Sequence, residues 1–432
     1  MVAVSSLLLW QQATGAPRAV VEKIASVIEA QYFDPAAARK ISADLRSDAT
    51  AGRFDPMRNP GDLASALSSR LEQLDPHFLV TWSADTPVSV EEPDSSQHVT
   101  SASHVTSASE QFERHTADGF HTVTRLPGAI GYIDLRACVD LPGNDSPARR
   151  TADAALELVA NAEAIILDLR NNPGGSLDMA GYLVSAFTDP HADIYDVLHY
   201  RDHTESERPR IVNPHRLLDV PLYVLISGRT ASAAESLAYT LQAARRATVI
   251  GEISAGAANP GGAFPVGDGF EVFVSISTPV NPVTGTNWNI VGVKPDINVP
   301  ADRALERAQT MALQSIAGDV AKSPALDAKW TLEAWRAEHS PPSGPALAGY
   351  TGRYRGATLS LSRDGNLQMS RGRRPAWELR RVHADTFYVR DEPYRRVIFH
   401  RDGKGNVERF QLLRAWGPST WFARTGDLPG EP

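Results

Sequence analysis

The sequence predicts an α/β layered core set between an N-terminal helical domain and a small all-β domain near the C-terminus. Three observations carry that expectation. Apolar residues recur at three- and four-residue steps early in the chain, strand-like and helix-like patterns alternate through its middle, and short alternating strands separated by Gly and Asp-Gly fill its end. A chain of 432 residues exceeds one ordinary core, so several domains are expected. Hydrophobic residues at 42% and charged residues at 22% are the proportions of folded domains, not of disordered or fibrous chains.

Each element has its own justification. Residues 1–17 combine the apolar stretch Val2 to Trp10 with the small residues Ala13-Thr14-Gly15-Ala16, and read either as the remnant of a secretory signal or as the first turn of a helix. The signal reading favours a compartment outside the cytoplasm. In residues 18–83, Val20, Val21, Ile24 and Ile28, then Leu63, Leu67, Leu71 and Leu74, mark the buried stripes of helices. Residues 84–112 are rich in Ser, Thr, Pro and acid, and His98 to Ser103 repeats at once as His104 to Ser109, the signature of a flexible linker with two solvent-facing histidines.

The α/β core is expected over 113–318. Ala164 to Leu169 reads as a buried strand, Asn171-Asn172-Pro173-Gly174-Gly175 as a sharp turn, and Leu177 to Thr188 as a helix; Leu222 to Ile226, Ser227-Gly228-Arg229-Thr230 and Ser232 to Arg245 repeat the design. Residues 319–344 form a linker or helix. In the β domain, 345–425, Arg363-Asp364-Gly365-Asn366 and Arg401-Asp402-Gly403-Lys404 carry hairpin-turn chemistry.

Composition also narrows function. A net charge of −8 disfavours phosphate backbones and anionic lipid, so no nucleic acid is expected; small molecules and a peptide or protein substrate stay open, as does a homo-oligomer. No run approaches the roughly 18 apolar residues of a membrane span. The single cysteine, Cys138, excludes an intrachain disulfide and reads as a small buried hydrophobe in a strand. No zinc-type histidine pair or phosphate loop occurs, so no cofactor or metal is expected.

Chemistry concentrates in three stretches. In Thr230-Ala231-Ser232-Ala233-Ala234-Glu235, Ser232 opens an amphipathic helix, where the helix dipole would stabilise a developing oxyanion; Ser232 and Glu235 equally spell an S-x-x-E capping box. Gly174 and Gly175 let the backbone approach a ligand and turn N–H groups toward it, or simply make a tight turn. Leu74-Asp75-Pro76-His77-Phe78 sets a histidine between a proline turn and an apolar strand.

Together and in this order, these stretches resemble the C-terminal processing peptidases, in the branch that includes the tricorn core and interphotoreceptor retinoid-binding protein. The resemblance covers about residues 18–80 and 119–305 and implies a crotonase-like (ClpP/crotonase) layered core. It assigns Ser232 as nucleophile. Many members carry a catalytic lysine at the position of Ala257, so the Ser-Lys dyad is absent here. The tricorn-like branch uses a histidine in an Asp-x-His segment, which implies His77 as base. The segment Asn287-Trp288-Asn289-Ile290-Val291-Gly292-Val293-Lys294-Pro295-Asp296 is similar to that branch's W-E-x-x-G-V-x-P-D and puts Asn289 where the family has its orienting acid. Between Val80 and Val123 a PDZ domain does not fit.

The resemblance thus implies a serine peptidase: acyl transfer to Ser232, His77 as general base oriented by Asn289, and an oxyanion hole from the N–H groups of Ala233 and Gly174 or Gly175. His121 and His115 are the next candidates for the base. Two other readings share the architecture, a non-catalytic carrier of an apolar ligand and a crotonase-like hydratase or isomerase.

Overall fold

The computed structural model describes residues 16–84, 117–143, 145–319 and 324–428. The 84–112 linker beyond Ala84, with His98 and His104, and His115 lie outside them, as does the stretch 1–15.

Three helices come first: α1 (Ala16–Gln31), α2 (Pro35–Thr50) and α3 (Pro60–Leu71). The last two start alike. Asp34 and Asn59 accept N–H groups of the first turn, and a proline with no N–H to lose follows each. The stripes of Val20, Ile24, Ile28, Leu63, Leu67 and Leu71 close a common core with Phe78 and with Val80 of β1 (Leu79–Trp82). Leu74 departs from its expected place: helix α3 stops at Leu71, the chain turns, and Leu74 is 39% exposed. Strand β1 pairs antiparallel with β10 (Phe270–Ser275), which pairs with β9 (Gly261–Gly267), and Val266, Val272 and Val274 complete the helical core.

The main sheet contains β2 (Phe120–Leu126), β3 (Ile130–Leu135), β4 (Ala164–Asp168), β7 (Leu222–Ile226), β8 (Ala247–Gly251) and β12 (Ile297–Asn298), in the order β12-β8-β7-β4-β3-β2. Every residue of β4 and β7 is buried, as their unbroken apolar runs require. A second sheet joins β5 (Val197–His199), β6 (Thr204–Ser206) and β11 (Thr278–Val280). Helix α4 (Pro147–Val159) precedes β4, helix α5 (Leu177–Phe187) follows it, and α6 (Ala233–Ala243) follows β7. Helices α5 and α6 pack on each other. The strand–turn–helix units are therefore neighbours, and their turns share one edge of the sheet.

Contacts divide the described residues into two compact units, one within Met1–Thr122, Ile133–Glu157 and Leu167–Ala304, the other within Val123–Tyr132, Leu158–Ile166 and Leu305–Pro432. The second contains most of α7 (Ala301–Gly318), α8 (Ala325–His339) and a closed eight-stranded barrel. Its strands are β13 (Gly352–Tyr354), β14 (Ala357–Leu361), β15 (Leu367–Ser370), β16 (Trp377–His383), β17 (Thr386–Val389), β18 (Glu392–Arg401), β19 (Val407–Arg414) and β20 (Thr420–Gly426).

Alternation fills the barrel with Leu359, Met369, Phe387, Val397, Phe399 and Phe410, and pairing of β13 with β20 closes it without a free edge. The two expected hairpin turns occur, closed by Ser362 N–H to Asn366 O and Asp402 N–H to Asn406 O, both at 2.8 Å. Helix α8 docks on the barrel through Arg396, 1% exposed, which donates to Trp330 O at 2.5 Å and approaches Glu333 at 3.4 Å.

Candidate active site

Ser232 stands at the N-cap of α6 with φ 52° and ψ −125°. The N-caps whose side chains accept first-turn N–H groups among the described residues differ. Asp34, Asn59 and Ser176 have φ of −99°, −103° and −79°, the extended conformation that capping normally uses. Ser232 and Glu235 do form the capping box, and the Glu235 carboxylate accepts the Ser232 N–H at 2.8 Å. A cap alone needs no left-handed residue, so the backbone here holds Ser232 in a strained turn that presents its exposed side chain.

Glu235 is fully buried and finishes its shell on another segment. It accepts from Ser254 Oγ at 2.5 Å, Gly256 N–H at 2.7 Å and Ala257 N–H at 2.8 Å. The backbone of Ala257 is thereby tied to the Ser232 turn.

The glycine turn touches the same place. At Gly174, φ 104°, an added Cβ would lie 2.7 Å from Ser232 Cβ and 3.0 Å from Ala233 N. Gly175, φ 126°, lies against the backbone of Cys138, whose N–H donates to Gly174 O and whose carbonyl accepts from Ser176 N–H. The two turns are laced together by Ala231 N–H to Asn172 O, Thr230 Oγ1 to Leu169 O and Ser227 Oγ to Arg170 O.

Of the expected oxyanion donors, Gly174 N–H is already engaged by Asn172 Oδ1 at 2.8 Å. For Gly175 and for Ala233, the latter at the first helical position where no intrahelical partner exists, no acceptor is found among the described residues. Cys138 is buried as expected, with its thiol pushed up to about 12 by that burial. It forms an isolated bridge with Gly175 and is not part of β3. Its backbone pins the glycine turn, a role the sequence offered no signal for.

His77 Nδ1 lies 2.7 Å from Asp75 Oδ1, which also accepts the His77 main-chain N–H at 2.9 Å. Asp75 is 2% exposed; its other oxygen accepts from Ser275 Oγ at 3.0 Å, Tyr32 OH at 3.1 Å and Asn259 Nδ2 at 3.4 Å. Burial by itself would raise its pKa, but the hydrogen bonds and charge of His77 and the hydroxyl of Ser275 outweigh it and bring the carboxyl down to about 2. An ionised carboxylate cannot donate, so the proton must sit on His77 Nδ1. Nε2 is buried and without a hydrogen-bond partner among the described residues.

The side chain hydrogen-bonded to the His77 ring is Asp75, not Asn289. Neither ring nitrogen of His77 bonds Asn289, whose Oδ1 is buried and unpartnered and whose N–H goes to Asn287 Oδ1. The D-P-H spacing is what lets Asp75 win: two residues through a turn bring one carboxylate oxygen to both N–H groups. Asn289 belongs instead to a turn fastened at Gly256, where Ile290 N–H donates to Gly256 O at 2.8 Å. Residues 254–259 are a common spine, holding Glu235 and the Ser232 turn at one end and Asp75 and the His77 turn through Asn259 at the other. His121 is half-exposed beside Asp134 at 3.1 Å, away from these bonds. Among the described residues no cluster of three His, Cys, Asp or Glu could hold a metal.

Residues 129–299 match the model of Peptidase family S41. The chain is 31% identical over 179 residues to the carboxy-terminal-processing protease of Bartonella bacilliformis, covering 40% of each, and 35% identical over 135 residues to the carboxyl-terminal-processing protease of Synechocystis sp., covering 31% of this chain and 30% of that one. It therefore spans well under half the length of these relatives. The solved photosystem II D1 C-terminal processing protease is 24% identical, covers 41% of this chain and 45% of its own, and has a TM-score of 0.34. Ser232, Gly174, Gly175 and Glu235 lie inside the matched segment and His77 and Asp75 outside it. Over residues 129–299, the chain is similar to Peptidase family S41.

Proposed function

We propose that the protein is a serine peptidase that cleaves polypeptides, in the manner of a tail-processing enzyme, through an acyl-enzyme on Ser232. The observation that carries this reading is His77: its ring is fixed by an ionised carboxylate at Nδ1 and offers an unpartnered, buried Nε2. Such a nitrogen is a general base waiting for a proton donor, and the Ser232 hydroxyl is the donor that the reaction requires.

In the first step Ser232 Oγ bonds to the scissile carbonyl carbon as its proton passes to His77 Nε2. The carbonyl oxygen takes up the negative charge between the N–H groups of Ala233 and Gly175, at the positive end of α6. Collapse breaks the C–N bond, and His77 returns the proton to the departing amine. Water then attacks the ester with the same base and frees the new C-terminus. Asp75 stays ionised throughout and stabilises the imidazolium.

A fluorophosphonate probe tests the reading. Mass spectrometry should find the adduct on Ser232, abolished in Ser232→Ala and strongly slowed in His77→Ala. An unlabelled Ser232 in the folded protein would favour the ligand-carrier or hydratase readings.

A further inference from the structure

Averaged over the chain the net charge is −8, but the average conceals a division. From Pro345 onward there are sixteen Arg and Lys against nine Asp and Glu, whereas the chain before it carries 27 against 42. The barrel concentrates this charge further. Because its strands alternate in direction, the turns 355–356, 371–376, 390–391 and 415–419 all lie at one end, and 362–366, 384–385 and 402–406 at the other. The first set contains Arg355, Arg371, Arg373, Arg374 and Arg390 against Asp391 alone; the second balances Arg363 and Lys404 against Asp364, Asp385 and Asp402.

Arg355, Arg373 and Arg374 are exposed and have no ion-pair partner among the described residues. Just inside the same end, Arg395 and Arg414 stand opposite each other in register on β18 and β19, where the Glu392 carboxylate, paired with Arg395, offsets part of their charge. Aromatic faces accompany the charge. Trp416, 54% exposed in the 415–419 turn, stacks on Tyr394 at 4.8 Å, and the Arg395 guanidinium lies over Trp377 at 4.9 Å.

We propose that this end of the barrel is a docking surface for an acidic polypeptide segment, an Asp- and Glu-rich stretch of the substrate bound outside the Ser232 site. It rests on the peptidase reading only in assigning the segment to a substrate. The planar forks of unpaired arginines match carboxylates two bonds at a time, and exposed rings give an extended chain a surface to lie on. Charge complementarity favours a short segment over a larger polyanion. The remainder of the protein is net negative and repels a nucleic acid or an anionic membrane, whose charge extends far beyond a Debye length of about 8 Å. The exposed large apolar side chains at this end, Trp416 and Trp421, offer little area for insertion into lipid.

The test is fluorescence anisotropy on the full chain, carrying Ser232→Ala so that no turnover intervenes, with a fluorescein-labelled glutamate-rich peptide and a neutral peptide of equal length. We expect binding of the acidic peptide only, weakened by added salt. It should fall at least tenfold in the Arg373→Glu, Arg374→Glu double variant and be largely kept in the corresponding double Lys variant. If the double reversal does not fold by circular dichroism, Arg373→Ala and Arg374→Ala are read singly. Undiminished binding in folded charge variants overturns the proposal, as does tighter binding of oligothymidylate or phosphatidylglycerol vesicles than of the peptide. The two readings fail separately. A chain that binds the acidic peptide but whose unsubstituted form leaves Ser232 unlabelled by the probe loses the peptidase reading, whereas a labelled Ser232 without acidic binding removes the docking surface.

Discussion

One oxygen of Asp75 accepts both the ring N–H and the main-chain N–H of His77, at 2.7 and 2.9 Å. This double bond to a buried, ionised carboxylate sets the tautomer of the imidazole. Asp75→Asn removes the charge and lets the amide impose the opposite tautomer, which in Ser-His-Asp proteases costs about 10⁴ in rate. We expect a comparable loss of kcat with the fold retained, read by single-turnover acylation beside circular dichroism. Full activity in the variant would remove Asp75 from the mechanism.

Ser232→Ala should abolish turnover, by about 10⁶-fold where a nucleophile is removed from a cooperating set, yet leave stability near wild type. The reason is that Glu235 holds the main-chain N–H, which alanine keeps. Thr230 is no substitute cap, since its hydroxyl is committed to Leu169 O and Ser227 N–H. Ser232→Gly, which relaxes the φ of 52°, should unfold at a similar or higher denaturant concentration. A large loss of stability in the alanine variant would mean that the side chain is chiefly structural.

Gly175→Ala should be severe. Its Cβ would fall 2.1 Å from Cys138 O at a φ of 126°, so backbone must move. A cost of roughly 1–3 kcal/mol is expected from strain of this kind, together with loss of acylation as the turn shifts away from Ser232. Urea denaturation and probe labelling measured on one preparation would separate the two effects.

Asn289→Glu tests the reassigned role. With Asp75 already on Nδ1, a second carboxylate gains nothing at His77, and it puts a charge where the Asn289 oxygen is buried without a partner. We predict no rise in rate and a destabilisation of about 1–3 kcal/mol. Faster acylation would restore Asn289 to the orienting role.

Buried carboxylates also set the pH dependence of stability. Asp75 is held near 2 in the folded state, so its contribution is present above its ordinary value near 3.8 and fades as pH falls through 2. Asp196 and Glu207, joined through Ser236 Oγ one turn along α6 from Ser232, shift the other way. Burial raises both, and the charge of Asp196 raises Glu207 further. Their stabilisation is complete in acid below their ordinary values and is lost as pH rises through the raised ones. Denaturation midpoints should therefore decline from weakly acidic to weakly alkaline pH, and Glu207→Gln should flatten that slope. An unchanged slope in the variant would place the titration elsewhere.

The amino-acid sequence by itself determined most of the elements and where the candidate site lies along the chain. Periodicity marked the stripes of the first and third opening helices, the buried strands β4 and β7 and the short strands of the terminal domain, because each pattern has one periodicity that can bury it; the helix Pro35–Thr50 had no stripe of its own. The residues alone left Ser232 open between cap and nucleophile and the two glycines open between tight turn and ligand approach, and resemblance to a family singled out Ser232 and His77. Leu74 was misplaced because spacing continues past a helix end that only the turn after Leu71 decides.

Tertiary structure alone decided that Asp75 is the carboxylate bonded to the imidazole, that Glu235 serves both as cap and as tether to residues 254–259, that among the described residues Gly174 and not Gly175 has its N–H engaged, and that the barrel gathers its arginines at one end. Each of these depends on where a hydrogen bond or a charge is satisfied in space. Asp75, Asn259 and Ser275 meet across about 200 positions of chain, and no local pattern records such a meeting.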